Sequence, residues 1–193
     1  MKVNQLDIKD SIRIINKAQQ QTEQIPTGAA YYYKLWGLVL GAYFFIRFIE
    51  FGLPKESALM LQSFDWVCFV IGGILSGLRK KHDQAIEKVV PKMEVIYFYT
   101  FTGFALATMV VQFYARMLNT TIDVQLFPFL LGLTVYITGG ITKHKPSIFL
   151  GLLSILLCIP SLFLVLEYQF LMASLASIIG SFLPGVLMRN QNV

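Results

Sequence analysis

The sequence predicts an all-α polytopic membrane protein: six transmembrane helices arranged as three hairpins, preceded by a short amphipathic helix. Three observations predict it. Six apolar stretches, 29–51, 58–78, 95–117, 124–141, 147–166 and 170–188, fill almost everything after residue 28 of the 193-residue chain. A spanning helix needs about 20 mostly apolar residues at about 1.5 Å each, and a bilayer core forces each stretch to close its own backbone hydrogen bonds. Hydrophobic residues make up 55% of the chain, charged residues only 14%, and the mean hydropathy is +0.61. A soluble domain carries about 25% charged residues.

The third observation is where the charge sits. The net charge is +5. With a cytoplasmic N-terminus and six crossings, the cytoplasmic parts are 1–28, 79–94, 142–146 and 189–193. With Lys34 these hold 13 of the 16 Lys and Arg residues. Only Arg47, Lys55 and Arg116 lie toward the other side. Cytoplasmic loops carry such an excess, so the bias predicts both termini inside. The segments divide into a cytoplasmic N-terminal part, 1–28, a transmembrane domain, 29–189, and a cytoplasmic tail, 190–193. A nucleic-acid partner is not expected, because Asp83 and Glu87 interrupt the bases of the longest loop. No short apolar core precedes a cleavage site in the first 28 residues, so the first helix is expected to direct insertion.

Residues 4–24 have amphipathic helical spacing. Asn4 can cap the helix, with Asp7 three residues on. Ile8, Ile12 and Ile15 share one face, and Lys9, Arg13 and Lys17 another. Pro26 and Gly28 end it. Such a helix either covers the cytoplasmic ends of the bundle or engages a partner. Helix 1 opens with Tyr31, Tyr32, Tyr33, Lys34 and Trp36, the residues of a headgroup belt. The links 52–57, 118–123 and 142–146 are short, which predicts antiparallel neighbours. The link 79–94 is the one long enough to be a soluble loop. His82 and His144 read as solvated turn residues.

Small residues are spaced for helix contact: Gly37 with Gly41, Gly73 with Gly77, and Gly180 beside the Ala173, Ser177, Ser181 stripe. Glycine also recurs near the ends of the even helices, in Ile71-Gly72-Gly73, Thr138-Gly139-Gly140 and Ile179-Gly180. Pro128, Pro160 and Pro184 each remove a backbone donor and can bend helices 4, 5 and 6. Cys68 and Cys158 both fall in apolar stretches and read as small buried hydrophobes.

The sharpest polar feature is Arg47 with Glu50, three residues apart on one face of helix 1. Asp65 of helix 2 is expected at a similar depth. Gln112 and Arg116 share a face of helix 3, and Asp123 can meet Arg116 across the 118–123 link. Groups like these pair with one another or line a hydrated cavity. Arg47, Glu50, Asp65, Gln112 and Arg116 are therefore the candidate polar cluster. It is either a vestibule for an ion or solute, or a set of structural pairs at the outer interface. No nucleophile stands with a base, and neither a zinc-protease, a phosphate-loop nor a nucleophile-elbow motif is present. No catalytic, cofactor-binding or metal site is expected.

The segments resemble a family of uncharacterised small multipass membrane proteins of Gram-negative bacteria. The matching pieces are Tyr32-Tyr33-Lys34-Leu35-Trp36-Gly37, Ile71-Gly72-Gly73-Ile74, Gly139-Gly140 followed by Lys145-Pro146, Glu167-Tyr168-Gln169, and the ending from Gly180 to Pro184-Gly185. The similarity spans most of residues 10–189. It implies six helices and an inner-membrane location, and it supplies no substrate and no catalytic residue. The sequence thus points to a non-enzymatic inner-membrane protein with no cofactor. It is read as an accessory or regulatory component that engages a partner at its cytoplasmic face, with the bilayer as its solvent and self-association open. The alternative is a small-solute or ion transporter or channel with an outer polar vestibule.

Overall fold

A computed structural model describes residues 29–86 and 92–189. The amphipathic segment 4–24 and the tail 190–193 lie outside the described residues. Every described element is helical. In chain order they are α1 (Ala29–Glu50), α2 (Lys55–Ile86), α3 (Lys92–Leu118), α4 (Ile122–Ile141), α5 (Lys145–Leu156), α6 (Cys158–Ser161), α7 (Leu166–Ser177), a π-helical turn (Ile178–Phe182) and α8 (Leu183–Arg189). The last three form one rod.

Among the described residues, two stretches are long and apolar enough to cross a bilayer: α4 and the rod Leu166–Met188. The rest differ for identifiable reasons. Three tyrosines and Lys34 dilute α1. Polar ends dilute α2, which stays helical beyond position 78 through Arg79, Lys80, Lys81 and His82 to Ile86. The first half of the expected 79–94 loop is thus helix, because Arg, Lys and Gln are good helix formers and water accepts them. The expected single helix over 147–166 breaks into α5 and α6. Pro160 has no N–H to offer the carbonyl of Leu156, so α5 ends there.

Pro184 acts on the last rod in the same way. It cannot donate to the carbonyl of Gly180, and the turn just before it is π-wound, with the N–H of Leu183 reaching back to the carbonyl of Ile178. Single π turns inside α-helices are the usual form of that geometry. Between α3 and α4 the chain reverses at Asn119 (φ 50°), and between α4 and α5 at Lys143 (φ 53°). Both residues occupy the left-handed region that L side chains seldom adopt.

Three equal hairpins do not describe the packing. Helices α1, α4, α5 and the α7–α8 rod form a central group, while α2 rests on α1 and α3 rests on α4. The broadest contact joins α4 to α5, which belong to different predicted hairpins. Glycine explains it. A Cβ on Gly132 would stand 2.6 Å from the carbonyl oxygen of Gly151, and one on Gly139 would stand 2.8 Å from the nitrogen of Ile148. The backbones approach that closely only without side chains.

The rod meets α1 in the same manner. A Cβ on Gly37 would fall against the backbone nitrogen of Phe182, and one on Gly41 would fall 2.8 Å from Ile178 Cδ1. Gly180 faces Ser154, where an added Cβ would stand 2.9 Å from the serine Oγ. The expected contacts of Gly73 and Gly77 need correction: no described atom lies within 4 Å of a Cβ at either position. Gly72 is the one that turns toward α1, where an added Cβ would stand 3.2 Å from Val39 Cγ2. The next helical position is rotated by about 100°, which carries Gly73 away from the contact.

Hydroxyls tie the central helices together. Ser174 Oγ donates to the carbonyl of Gly41 (2.8 Å), Ser181 Oγ to that of Tyr33 (2.9 Å), and Ser154 Oγ to that of Pro128 (3.2 Å). The Thr138 hydroxyl donates to the Thr134 carbonyl, which leaves its oxygen to accept from Tyr33 at 2.5 Å. Tyr33 is fully buried among Tyr97 and Phe101, not in a headgroup belt with Tyr31. Helical rotation points it inward while its neighbours stay half-exposed.

Candidate functional site

At the end of the bundle that carries residues 50, 118, 122 and 166, the central helices part around a cavity of about 440 Å³. Its walls come from four helices. From α1 come Tyr43, Phe44, Arg47 and Glu50, with Phe51 from the turn that follows; from α3, Thr108 and Gln112; from α4, Asp123, Val124 and Phe127; from the start of α7, Leu166 and Phe170.

Arg47 and Glu50 join at 2.9 Å, Nη1 donating to Oε2. The i,i+3 spacing brings both side chains to one face of α1, and the turn at Gly52 and Leu53 closes the helix just beyond. The guanidinium also lies 5.8 Å from the centre of the Tyr43 ring. Its side chain is 24% exposed and that of Glu50 only 11%. The second carboxylate oxygen, Oε1, is buried and takes no hydrogen bond from any described residue. Asp123 stands in the first turn of α4. A helix start favours negative charge there. Thr108 spends its proton on the Phe104 carbonyl at 2.9 Å.

Of the candidate cluster, the structure brings Arg47, Glu50 and Gln112 to one cavity. Asp65 falls in α2 and Arg116 in α3, and their side chains lie outside the described residues. Asp123 joins the walls, as do five aromatic rings that sequence reasoning missed. Aromatic residues are spread through every apolar stretch of the chain, and nothing in their spacing marks Phe44, Phe51, Phe127 and Phe170 as gathering around a hollow. Among the described residues, no three His, Cys, Asp or Glu side chains stand close enough to hold a metal ion.

The opposite end is built differently. His144 is buried, not solvated as a turn residue, and it caps α5. The N–H of Ser147 donates to Nδ1 at 3.3 Å, and Ser147 Oγ lies 2.7 Å from the same nitrogen. An accepting Nδ1 means a neutral ring with its hydrogen on Nε2. Burial pushes the His144 pKa below its ordinary value. The sequence signal was present: His144 precedes Lys145-Pro146, a helix start, with a serine three residues on.

Comparison with protein-family models, with curated proteins and with solved structures yields no match.

Proposed function

We propose that the chain is a non-enzymatic multipass membrane protein of the inner membrane, crossing six times with both termini cytoplasmic, and acting as an accessory or regulatory component. One observation carries the membrane reading: the polarity of the fold is inverted. Ser147, Ser154, Ser161 and Ser177 have no exposure, while Phe149 is 67% exposed, Met109 65%, Leu106 59% and Ile74 57%. A monomer in water rarely shows contiguous apolar patches beyond a few hundred Å². In lipid the arrangement is natural, since small hydroxyl residues pack helices and large apolar ones face acyl chains.

Lengths support the six crossings. At about 1.5 Å per residue, α1 (22 residues) reaches about 33 Å, and α2 and α3 are longer. Joined through their kink, α5 and α6 form an apolar stretch from Lys145 to Ser161. The distribution of Lys and Arg supports the orientation, and the family resemblance supports the inner membrane.

The accessory role is supported by the filled interior. Tyr33, Leu131, Val135, Ala173 and Ala176 are 0–1% exposed and plug the centre. A conduit needs polar groups along its length, and here the described charges gather at the ends. The second reading, transport of a small solute, is favoured by the vestibule itself. Reconstitution into sealed liposomes separates the two. The accessory role predicts no flux of small cations, anions or amino acids above protein-free vesicles. Saturable flux abolished by Arg47→Leu would establish transport instead.

A further inference from the structure

We propose that the vestibule is a binding site for a small organic cation, an ammonium group carried on an apolar body. The proposal rests on the membrane reading above and is independent of the choice between accessory and transport roles.

The rings come first. Phe44 lies 4.4 Å from Phe127, 5.0 Å from Tyr43 and 6.3 Å from Phe170, centre to centre, and Phe51 lies 5.8 Å from Phe170. Ring faces are electron-rich and attract cations. An apolar body fills the remaining space, and about 440 Å³ lies in the range of small-molecule pockets, about 300–1,000 Å³.

Glu50 supplies the polar anchor. Its Oε2 is taken by Arg47, while its Oε1 accepts nothing from the described residues and has no surface open to the cavity until the carboxylate turns, which is the movement a bound donor would draw. Buried carboxylate oxygens ordinarily have a donor. An ammonium N–H provides one, with charge assistance. Asp123 adds a second carboxylate to the walls. The walls carry two carboxylates, Glu50 and Asp123, against the one guanidinium of Arg47, so an anionic ligand would meet a net negative lining, and a neutral apolar one would leave Oε1 unmet. An ammonium at this site could arrive as a soluble amine or as the head of an ethanolamine lipid; the chemistry is the same.

The test uses the full chain purified in a mild non-ionic detergent. Its thermal unfolding midpoint is followed against phenethylammonium, neutral 2-phenylethanol and anionic phenylacetate. Phenethylammonium should raise the midpoint saturably, and the other two should not. Glu50→Gln and Phe170→Leu should each weaken the apparent affinity about tenfold, the loss of one charged hydrogen bond or one ring contact. If Glu50→Gln does not fold, the double variant Arg47→Leu/Glu50→Gln removes the stranded charge and should also lack the response.

An equal shift with phenylethanol, or an undiminished response in both Glu50→Gln and Phe170→Leu, would overturn the proposal. Nanodiscs distinguish the sources. Weaker phenethylammonium affinity in phosphatidylethanolamine than in phosphatidylcholine, equally zwitterionic but without an N–H, supports a lipid head as occupant; equal affinity supports a soluble amine. Membrane fractionation separates the two failures: a chain recovered in the aqueous fraction sinks the membrane reading, whereas a membrane-resident chain with no response to ammonium sinks this proposal alone.

Discussion

At the Tyr33 end of the bundle, polar groups sit in a filled interior; at the Arg47 end, they line a hollow. Tyr33, Thr138, His144 and Ser147 are all buried, and each finds a neighbour from the chain itself. Arg47, Glu50, Gln112 and Asp123 stand around open space. The difference is one of side-chain size. Gly37, Gly139 and Gly185 let the backbones close at the first end, where a Cβ on Gly185 would lie 2.7 Å from the nitrogen of Lys34. At the second end Phe44, Phe127 and Phe170 hold the helices apart. Bulk creates the vestibule, and charge then lines it.

The largest expected effect would break the closed contacts. Gly37→Leu has nowhere to place its side chain except into the Phe182 backbone, so it should cost about 3 kcal/mol or abolish folding. Gly73→Leu points away from every described atom and should shift stability by less than about 0.5 kcal/mol. Thermal unfolding of the two variants in the same detergent checks the pair. Equal losses would mean that the register of α2 against α1 is misread.

The next effect sharpens the hollow end. Arg47→Leu leaves Glu50 without its cation and should cost about 1–2 kcal/mol, discounted from the buried-pair value because Arg47 is partly exposed. Arg47→Leu combined with Glu50→Gln should lose less than the single variant, since no uncompensated charge is then left at the site. A double variant no better than Arg47→Leu would show that the pair contributes nothing specific.

A smaller effect concerns His144. Its folded pKa lies below the unfolded value of about 6.5, so the unfolded chain takes up protons first as the pH falls. Stability is therefore full above about pH 6.5 and declines as the pH drops below it. Protonation at Nδ1 also removes the acceptor that caps α5, a contact worth about 1 kcal/mol. His144→Asn keeps a capping side chain and should flatten the decline between about pH 6.5 and 5. An unchanged slope would place the titrating group elsewhere. The smallest of these losses is expected from Thr138→Val, which removes the partner of Tyr33 at about 0.6 kcal/mol, the average for hydrogen bonds between membrane helices, read from thermal unfolding in the same detergent.

Much of this was legible in the sequence. The i,i+3 spacing of Arg47 and Glu50 makes their pairing a local matter, and the interrupting Pro160 and Pro184 mark the places where α5 ends and the last rod turns π. Rotation about a helix axis is less local. One step separates Gly72, which touches Val39, from Gly73, which touches no described atom, and composition does not distinguish them. Tyr33 and His144 read as interfacial and solvated because single residues carry no sign of what lies opposite. The vestibule needed four helices to be placed at once, so its aromatic walls were not legible in the sequence. The three-hairpin scheme followed from chain order, whereas the glycine contact of α4 with α5 decided the packing.

The central claim is that the vestibule opens away from the cytoplasm while the opposite end of the bundle is closed. Single cysteines at positions 112, 138 and 143, on a Cys68→Ala/Cys158→Ser background, test it with a membrane-impermeant thiol reagent. In intact cells position 112 should react while 143 does not; after lysis 143 should react as well; position 138 should stay unreactive in both. Labelling of position 143 in intact cells, or of position 138 under either condition, would contradict the account.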